Sequence, residues 1–470
     1  MRSISKLKGT ADDLGVEKLG KLLLRYSVPA IIATAAASLY NIIDRIFIGQ
    51  GVGPLAISGL ALTFPLMNIT AAFGAMVGVG ASAMVSIRLG QHDRKGATQI
   101  LGNAVMLNLI LGIGIGLITY VFLEPILYAL GASKDTLPYA KEFMQVILLG
   151  NVFAHLYLGL NNIIRASGYP GKAMIITLTT VAVNLILAPL FIFVFKWGIR
   201  GAALATVCAQ FIGTITAIIH FTKIESFVRF LPGYMRLKKV IIKDIISIGM
   251  SNFLMLIFGS VVISIFNLSL RKYGGDLAIG AFGILISVAN LAVMVVIGFN
   301  QGMQPIVGYN YGAKQMPRAI RTFKLTIFAA TCVTSFMFLL AEIFPRLIAS
   351  AFTNNDELIN LSVMGMRLNL IMFPIVGFQI VTSSFFQSIG KAKFSIFLSL
   401  TRQVLFLIPA LFIIPHFWQL KGVWLAGPVA DFASTLLTLI VLKWQIGKLN
   451  TKITATGNTQ PETGHLMPDA

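Results

Sequence analysis

Residues 99–123 read QILGNAVMLNLILGIGIGLITYVFL, twenty-five positions without a charge. A helix needs about 20 predominantly apolar residues to cross the hydrocarbon of a bilayer. The run is continuous rather than alternating, and it exceeds the ~10 residues of a barrel strand. It therefore reads as a spanning helix. Its Gly112-Ile113-Gly114-Ile115-Gly116 lies mid-run with no strand before it, so it is not a dinucleotide-binding loop. Small residues at such spacing let helices approach one another. The run is preceded by Gly90-Gln91-His92-Asp93-Arg94-Lys95, a connection outside the apolar layer.

The same reading applied outward gives twelve spans, at about 22–48, 56–85, 99–123, 139–163, 173–195 and 200–221, then 246–269, 278–305, 320–344, 359–386, 393–415 and 422–445. Composition agrees: 56% of the 470 residues are apolar and 11% are charged, against about 25% charged in soluble domains. Mean hydropathy is +0.84. These values exclude a disordered chain, a collagen and an ordinary soluble enzyme. Cys208 and Cys332 both lie in apolar runs, too few and too distant for a disulfide scaffold or a zinc site. Met1 to Gly20 is polar and charged, without the pattern of a cleavable leader.

The net charge of +20 would suggest nucleic acid on a soluble chain. Twelve spans put both termini on one side and sort the charges differently. Of 37 Lys and Arg, 24 fall with the termini, including Arg88, Lys172, Lys238 and Lys391, and eight fall opposite, including Arg45, Lys134, Arg200 and Arg346. The positive-inside rule then predicts cytoplasmic termini and no nucleic-acid partner.

The chain also repeats. Leu55-Ala56-Ile57 recurs as Leu277-Ala278-Ile279, Gly80 as Gly302, Gly90 as Gly312 and Ala97 as Ala319, all 222 residues on. Gly171-Lys172-Ala173 matches Gly390-Lys391-Ala392 at 219. Six spans per repeat put both halves in the same orientation, a transporter architecture with a cavity between them. The expected organisation is a lobe at 1–221, a cytoplasmic linker at 222–245, a second lobe at 246–445 and a disordered tail at 446–470. The fold class is all-α integral membrane, two parallel six-helix repeats. Linker residues Lys223, Arg229, Arg236, Lys238, Lys239 and Lys243 either meet anionic membrane lipids or are simply solvated.

Asn41-Ile42-Ile43-Asp44-Arg45-Ile46-Phe47-Ile48-Gly49, Ala56-Ile57-Ser58-Gly59-Leu60, Gly90 to Ala97, Arg165-Ala166-Ser167-Gly168, Asn184 to Pro189 and Gly201-Ala202-Ala203-Leu204-Ala205-Thr206 together resemble the MATE family of multidrug and toxin exporters. The resemblance covers about 15–446 and is closer to the DinF-like bacterial branch than to the NorM branch, whose seventh helix carries an acid that 246–269 lacks. It implies export of lipophilic, often cationic compounds by cation antiport across a bacterial inner membrane. It implies no catalytic chemistry and no cofactor beyond the coupling ion, H+ or Na+. The chain is expected to act as a monomer.

Acids inside spans cost roughly 2.5–3.5 kcal/mol on insertion scales, so each needs a reason. Glu124, Glu142 and Glu342 fall at span ends, next to water. Asp44 lies within span 1, with Asn41 one turn earlier. A partly dry carboxyl there suits a proton taken up outside and released inside. In the resembling family this Asp is a principal coupling-ion residue. Its partners are an Asn and an Asp on helix 5 and a Thr on helix 6. Asn184 matches the Asn and Thr206 the Thr, but Ala188 stands where the second Asp would be. A hard cation wants several oxygen ligands, whereas a proton needs one carboxyl, so H+ is favoured.

Asp431 and Arg402 sit mid-span on neighbouring helices, either as a buried pair or as substrate or ion contacts. Arg367 has no evident partner and could line the same cavity. Pro29 should kink span 1, and the resemblance makes it a hinge. Met250, Met255, Met294 and Met303 suit a promiscuous surface or plain packing. The five histidines show no metal spacing, and no Gly-Lys-Ser/Thr nucleotide loop occurs. Two other functions stay open. A flippase for a lipid-linked saccharide would want a more basic cavity, and a membrane-embedded enzyme would want a cluster of His and acids that is not seen.

Overall fold

The computed structural model describes residues 13–223 and 226–457, and among these every regular element is a helix. The first half comprises α1 (Leu19–Gly51), α2 (Pro54–Gly90), α3 (Arg94–Val121), α4 (Leu137–Leu149 with Asn151–Ala166), α5 (Pro170–Pro189, continued by a π segment, Leu190–Val194) and α6 (Gly198–Thr222). The 74-residue helix Lys239–Gly312 contains non-helical Gly275. Unbroken, it would be about 110 Å long against a hydrocarbon layer of about 30 Å, so it is two crossings, α7 (239–274) and α8 (276–312). Then come α9 (Met316–Ile343) and α10 (Asp356–Asn369 with Phe373–Ser388). α11 (392–418) includes the π segment Thr401–Leu407 and breaks at non-helical Gln419, beyond which lies α12 (420–457). Twelve apolar helices thus cross among the described residues.

The ends are set by local chemistry. Asp93 caps α3 by accepting from the Gly96 N–H at 2.8 Å, and Asn355 caps α10 through Leu358 at 3.0 Å. Prolines open α2, α5 and α9 at the first turn, where their missing N–H costs nothing. α1 is a helix without interruption through Pro29. α12 continues to Gly457, into the expected tail, and 458–470 lie outside the described residues.

The repeat is written in the backbone. Left-handed residues recur 222 apart: Gly53 and Gly275, His92 and Lys314, Gly168 and Gly390. Short helices Leu123–Ala129 and Pro345–Ser350 also begin 222 apart. α4 bends by 55° and α10 by 56° at matching places. The backbone corrects one pairing: the partner of Gly390 is Gly168, not Gly171. Tyr169 and Lys391 are the N-cap residues that follow. The shared Gly-Lys-Ala triplet is a coincidence of sequence displaced by three residues.

Apolar side chains segregate into three cores. One, at the end carrying the termini, joins both halves and includes Leu22, Val85, Leu101, Ile245, Val307 and Phe385. At the far end each half has its own: Ile48, Phe143 and Ala203 in one, Phe266, Leu370 and Trp424 in the other. The halves therefore share a core at one end and part at the other. Glycines make the shared contact close. A Cβ on Gly80 would lie 2.0 Å from the Ile245 carbonyl oxygen, and one on Gly249 would lie 1.9 Å from that of Met76. The chain before α1 straps the same end. Leu14 is fully buried, Asn310 donates to its carbonyl at 2.9 Å, and Arg318 donates to the Glu17 carbonyl at 2.8 Å. The linker lies against α3, where Asn103 accepts from Lys238 N–H at 2.7 Å and donates to the Arg236 carbonyl at 3.2 Å. Its six basic residues remain exposed.

Candidate functional site

α1 and α5 run side by side in the same direction, and Gly51 allows it: a Cβ there would meet Ile192 at 2.2 Å and Phe193 at 2.9 Å. Counting back seven residues on each helix, at equal rise, sets Asp44 level with the turn between Asn184 and Ala188. Asp44 is buried, and its Oδ1 has no hydrogen-bond partner among the described residues. Asn184 donates to the Thr206 hydroxyl at 3.1 Å, and Thr206 in turn donates to the Ala202 carbonyl at 3.2 Å. The Asn184 side-chain oxygen is also buried and unpartnered. Ala188, fully buried, adds no oxygen. The arrangement leaves two acceptor oxygens, one from a carboxylate, without donors in an apolar setting. An acceptor left so is costly unless something binds it.

Asn41 is not part of this group. It is exposed and donates to the Ala37 carbonyl of its own helix at 2.8 Å. Being one turn from Asp44 did not suffice, because the Asn41 amide turns back onto its own helix. Sequence reading missed Tyr40 instead, one turn before Asp44 and within electrostatic reach of both Asp44 and Tyr157. Tyr157 donates to the Thr177 hydroxyl at 3.2 Å, and Asn161 donates to the same oxygen at 3.1 Å. The i, i+4 spacing from Asp44 was the available signal.

In the second half Arg402 Nε donates to Asp431 Oδ1, so those two residues are brought together. Asp431 is buried while the Arg402 side chain keeps 37% of its surface. Gln379 of α10 ties α12 in place through the Asp431 carbonyl at 3.0 Å, the Thr435 hydroxyl at 2.9 Å and the Ser434 hydroxyl. Arg367 does not join them. It stands 3.7 Å from Glu342 near the far end of α9, both half-exposed, because an arginine this close to a span end reaches water and an acid there. The interfacial acids Glu124 and Glu142 likewise pair, with Lys141 at 2.7 Å and Arg200 at 3.2 Å. Among the described residues no group of His, Cys or acids could hold a metal.

A two-lobed bundle with buried polar groups in the spans, parted at one end and closed at the other, defines a multi-pass membrane transporter. The MatE family model matches residues 29–190 and 248–413, once in each repeat, and the chain belongs to that family. The multidrug export protein MepA of Staphylococcus haemolyticus is 25% identical over 422 residues, covering 90% of this chain and 93% of that one. MepA of Staphylococcus aureus is 26% identical over 424 residues with the same coverage. Solved structures share the fold. An outward-facing multidrug resistance MATE transporter of the MOP superfamily superposes with a TM-score of 0.88 at 23% identity over 94% of this chain and 98% of its own. A MATE crystal structure in a bent conformation gives 0.89 at 22%, over 94% and 98%. These are transport proteins, not enzymes.

Proposed function

We propose that the protein exports lipophilic organic compounds, many of them cationic, in exchange for an inward-moving cation, and that the cation is H+ carried on Asp44. The observation that carries the ion is the buried, unpartnered Asp44 oxygen, level along α1 with the Asn184–Thr206 pair, with Ala188 withholding a second carboxylate. Export itself rests on the family and on relatives named as multidrug export proteins. Separate far-end cores and one shared core support alternating access, in which the shared contact opens as the far end closes. The basic excess on the terminal side supports cytoplasmic termini in a bacterial inner membrane. The exposed linker lysines and arginines support contact with anionic lipid. The protein works as a monomer, with no cofactor besides the ion.

The test is efflux of a fluorescent cationic dye from proteoliposomes under a proton or a sodium gradient imposed separately. A proton gradient should drive efflux and a sodium gradient should not. Efflux that ignores both gradients contradicts export by antiport, and efflux that follows sodium alone contradicts the proton.

A further inference from the structure

Arg402 sits in the π segment of α11. Such segments interrupt regular helix packing and recur at functional sites. Thr180, 222 residues earlier, is its counterpart in the first half, one turn from Asn184. Arg402 therefore lies about one helical turn nearer the terminal end than Phe406, the counterpart of Asn184. Its Nε is taken by Asp431, and neither of its Nη groups has a protein partner among the described residues. A guanidinium is never without charge, and a charged group inside a span faces the bundle interior or a wet cavity rather than lipid. By that rule the accessible part of its side chain belongs on the side of the cleft.

A second polar group lies beside it. Gln403, next in the π segment, donates to the Met255 carbonyl of α7 at 3.5 Å and leaves its own oxygen buried and unpartnered. Gly259 on α7 puts no side chain opposite Gln403, and Met255 itself is exposed. Asp431 cannot offer its charge to a cation, since the acid is covered and its Oδ1 is occupied. The charge that the cleft meets is positive and forked.

We propose that Arg402 is a carboxylate-binding residue of the export cleft, taking the acid group of anionic or zwitterionic lipophilic compounds through its two Nη groups while Asp431 holds Nε and fixes the fork. This deepens the export reading and rests on it. Two parallel N–H donors match a carboxylate in a way that an ammonium does not.

Rhodamine B, which carries a free carboxylate, and its ethyl ester, which does not, form a matched pair of probes. Their binding to the purified full-length protein is read by fluorescence polarisation. Arg402→Lys keeps the charge and the contact with Asp431 but loses the fork. The double variant Arg402→Gln with Asp431→Asn removes both charges and leaves no buried ion alone. In each variant the acid-to-ester affinity ratio should fall about tenfold from wild type. A ratio unchanged in both variants, or a wild type that already binds acid and ester alike, overturns the assignment while leaving export of the ester intact. Failure of the wild type to bind or move either dye would instead overturn the export reading together with this one.

Discussion

The two halves share a backbone and differ in where they keep polarity. Asp44, Asn184 and Thr206 have Phe266, Phe406 and Pro428 as counterparts 222 residues on. Where the first half holds an unpartnered carboxylate, the second packs Phe266 against Phe282, rings stacked at 4.2 Å, with Trp424 beside them. In reverse, Arg402 and Asp431 replace Thr180 and Ala209. The bend that joins helices 4 and 5 is conserved in physics though not in residues. Asn161 donates to the Ala173 carbonyl and to Thr177, while Ser383 donates to the Ser395 carbonyl and shares a hydroxyl–hydroxyl hydrogen bond with Ser399, at 3.2 Å to the carbonyl in each half. A duplicated scaffold has thus kept its joints and divided its charges, with a bare acid in one half and a neutralised pair in the other.

The largest expected effect follows from that division. Asp44→Asn should abolish gradient-driven dye efflux in proteoliposomes while the purified protein elutes and melts as wild type, because an amide keeps the volume and cannot carry the proton. Next, Ala188→Asp would restore a second acid beside Asn184. It should make efflux respond to a sodium gradient, and a variant still blind to sodium would break the proposed link between carboxylate number and ion. In the second half, Asp431→Asn leaves the Arg402 charge without its partner and should lower stability measurably in thermal or denaturant unfolding. The half whose acid is bare should show no comparable loss in Asp44→Asn.

The shared end can be contrasted with open positions in the same way. Gly249→Ala forces its new methyl group against a backbone oxygen and should cost about 2 kcal/mol or more, or raise labelling of a cysteine placed at the terminal end. Gly114→Ala meets nothing within 4 Å and should be neutral or slightly stabilising. The smallest effect concerns the strap. Lys21, bonded to Glu17 at 2.8 Å, and Arg25 hold the Glu17 carboxyl below the usual carboxylate range. Its contribution is therefore present at neutral pH and is lost as the pH falls through that lowered range. Glu17→Gln should loosen the strap by under ~1 kcal/mol, read as faster proteolysis before α1, and should flatten this acid dependence.

The span pattern was legible because hydrophobic thickness imposes a length on every crossing, and 99–123 shows it without interruption. The repeat was legible through glycines at a fixed offset, except at 171–173, where left-handed backbone rather than residue identity carries the correspondence. The bends of α4 and α10 were not legible. Their breaks at Gly150 and at Leu370 to Met372 interrupt no apolar run, so hydropathy is blind to them. Of the site, Asp44 stood out because acids in spans are costly. Asn41 misled because helical spacing fixes a face and not its neighbour. Arg367 misled because its partner Glu342 is on another helix.

Exchange of the exported compound for a proton on Asp44 requires that binding of one displaces the other. It is tested most directly by adding the ethyl ester of rhodamine B to the purified protein in weakly buffered solution with a pH indicator. Binding should release protons from wild type and release none from Asp44→Asn. Dye bound by wild type without proton release, or equal release from both proteins, would contradict it.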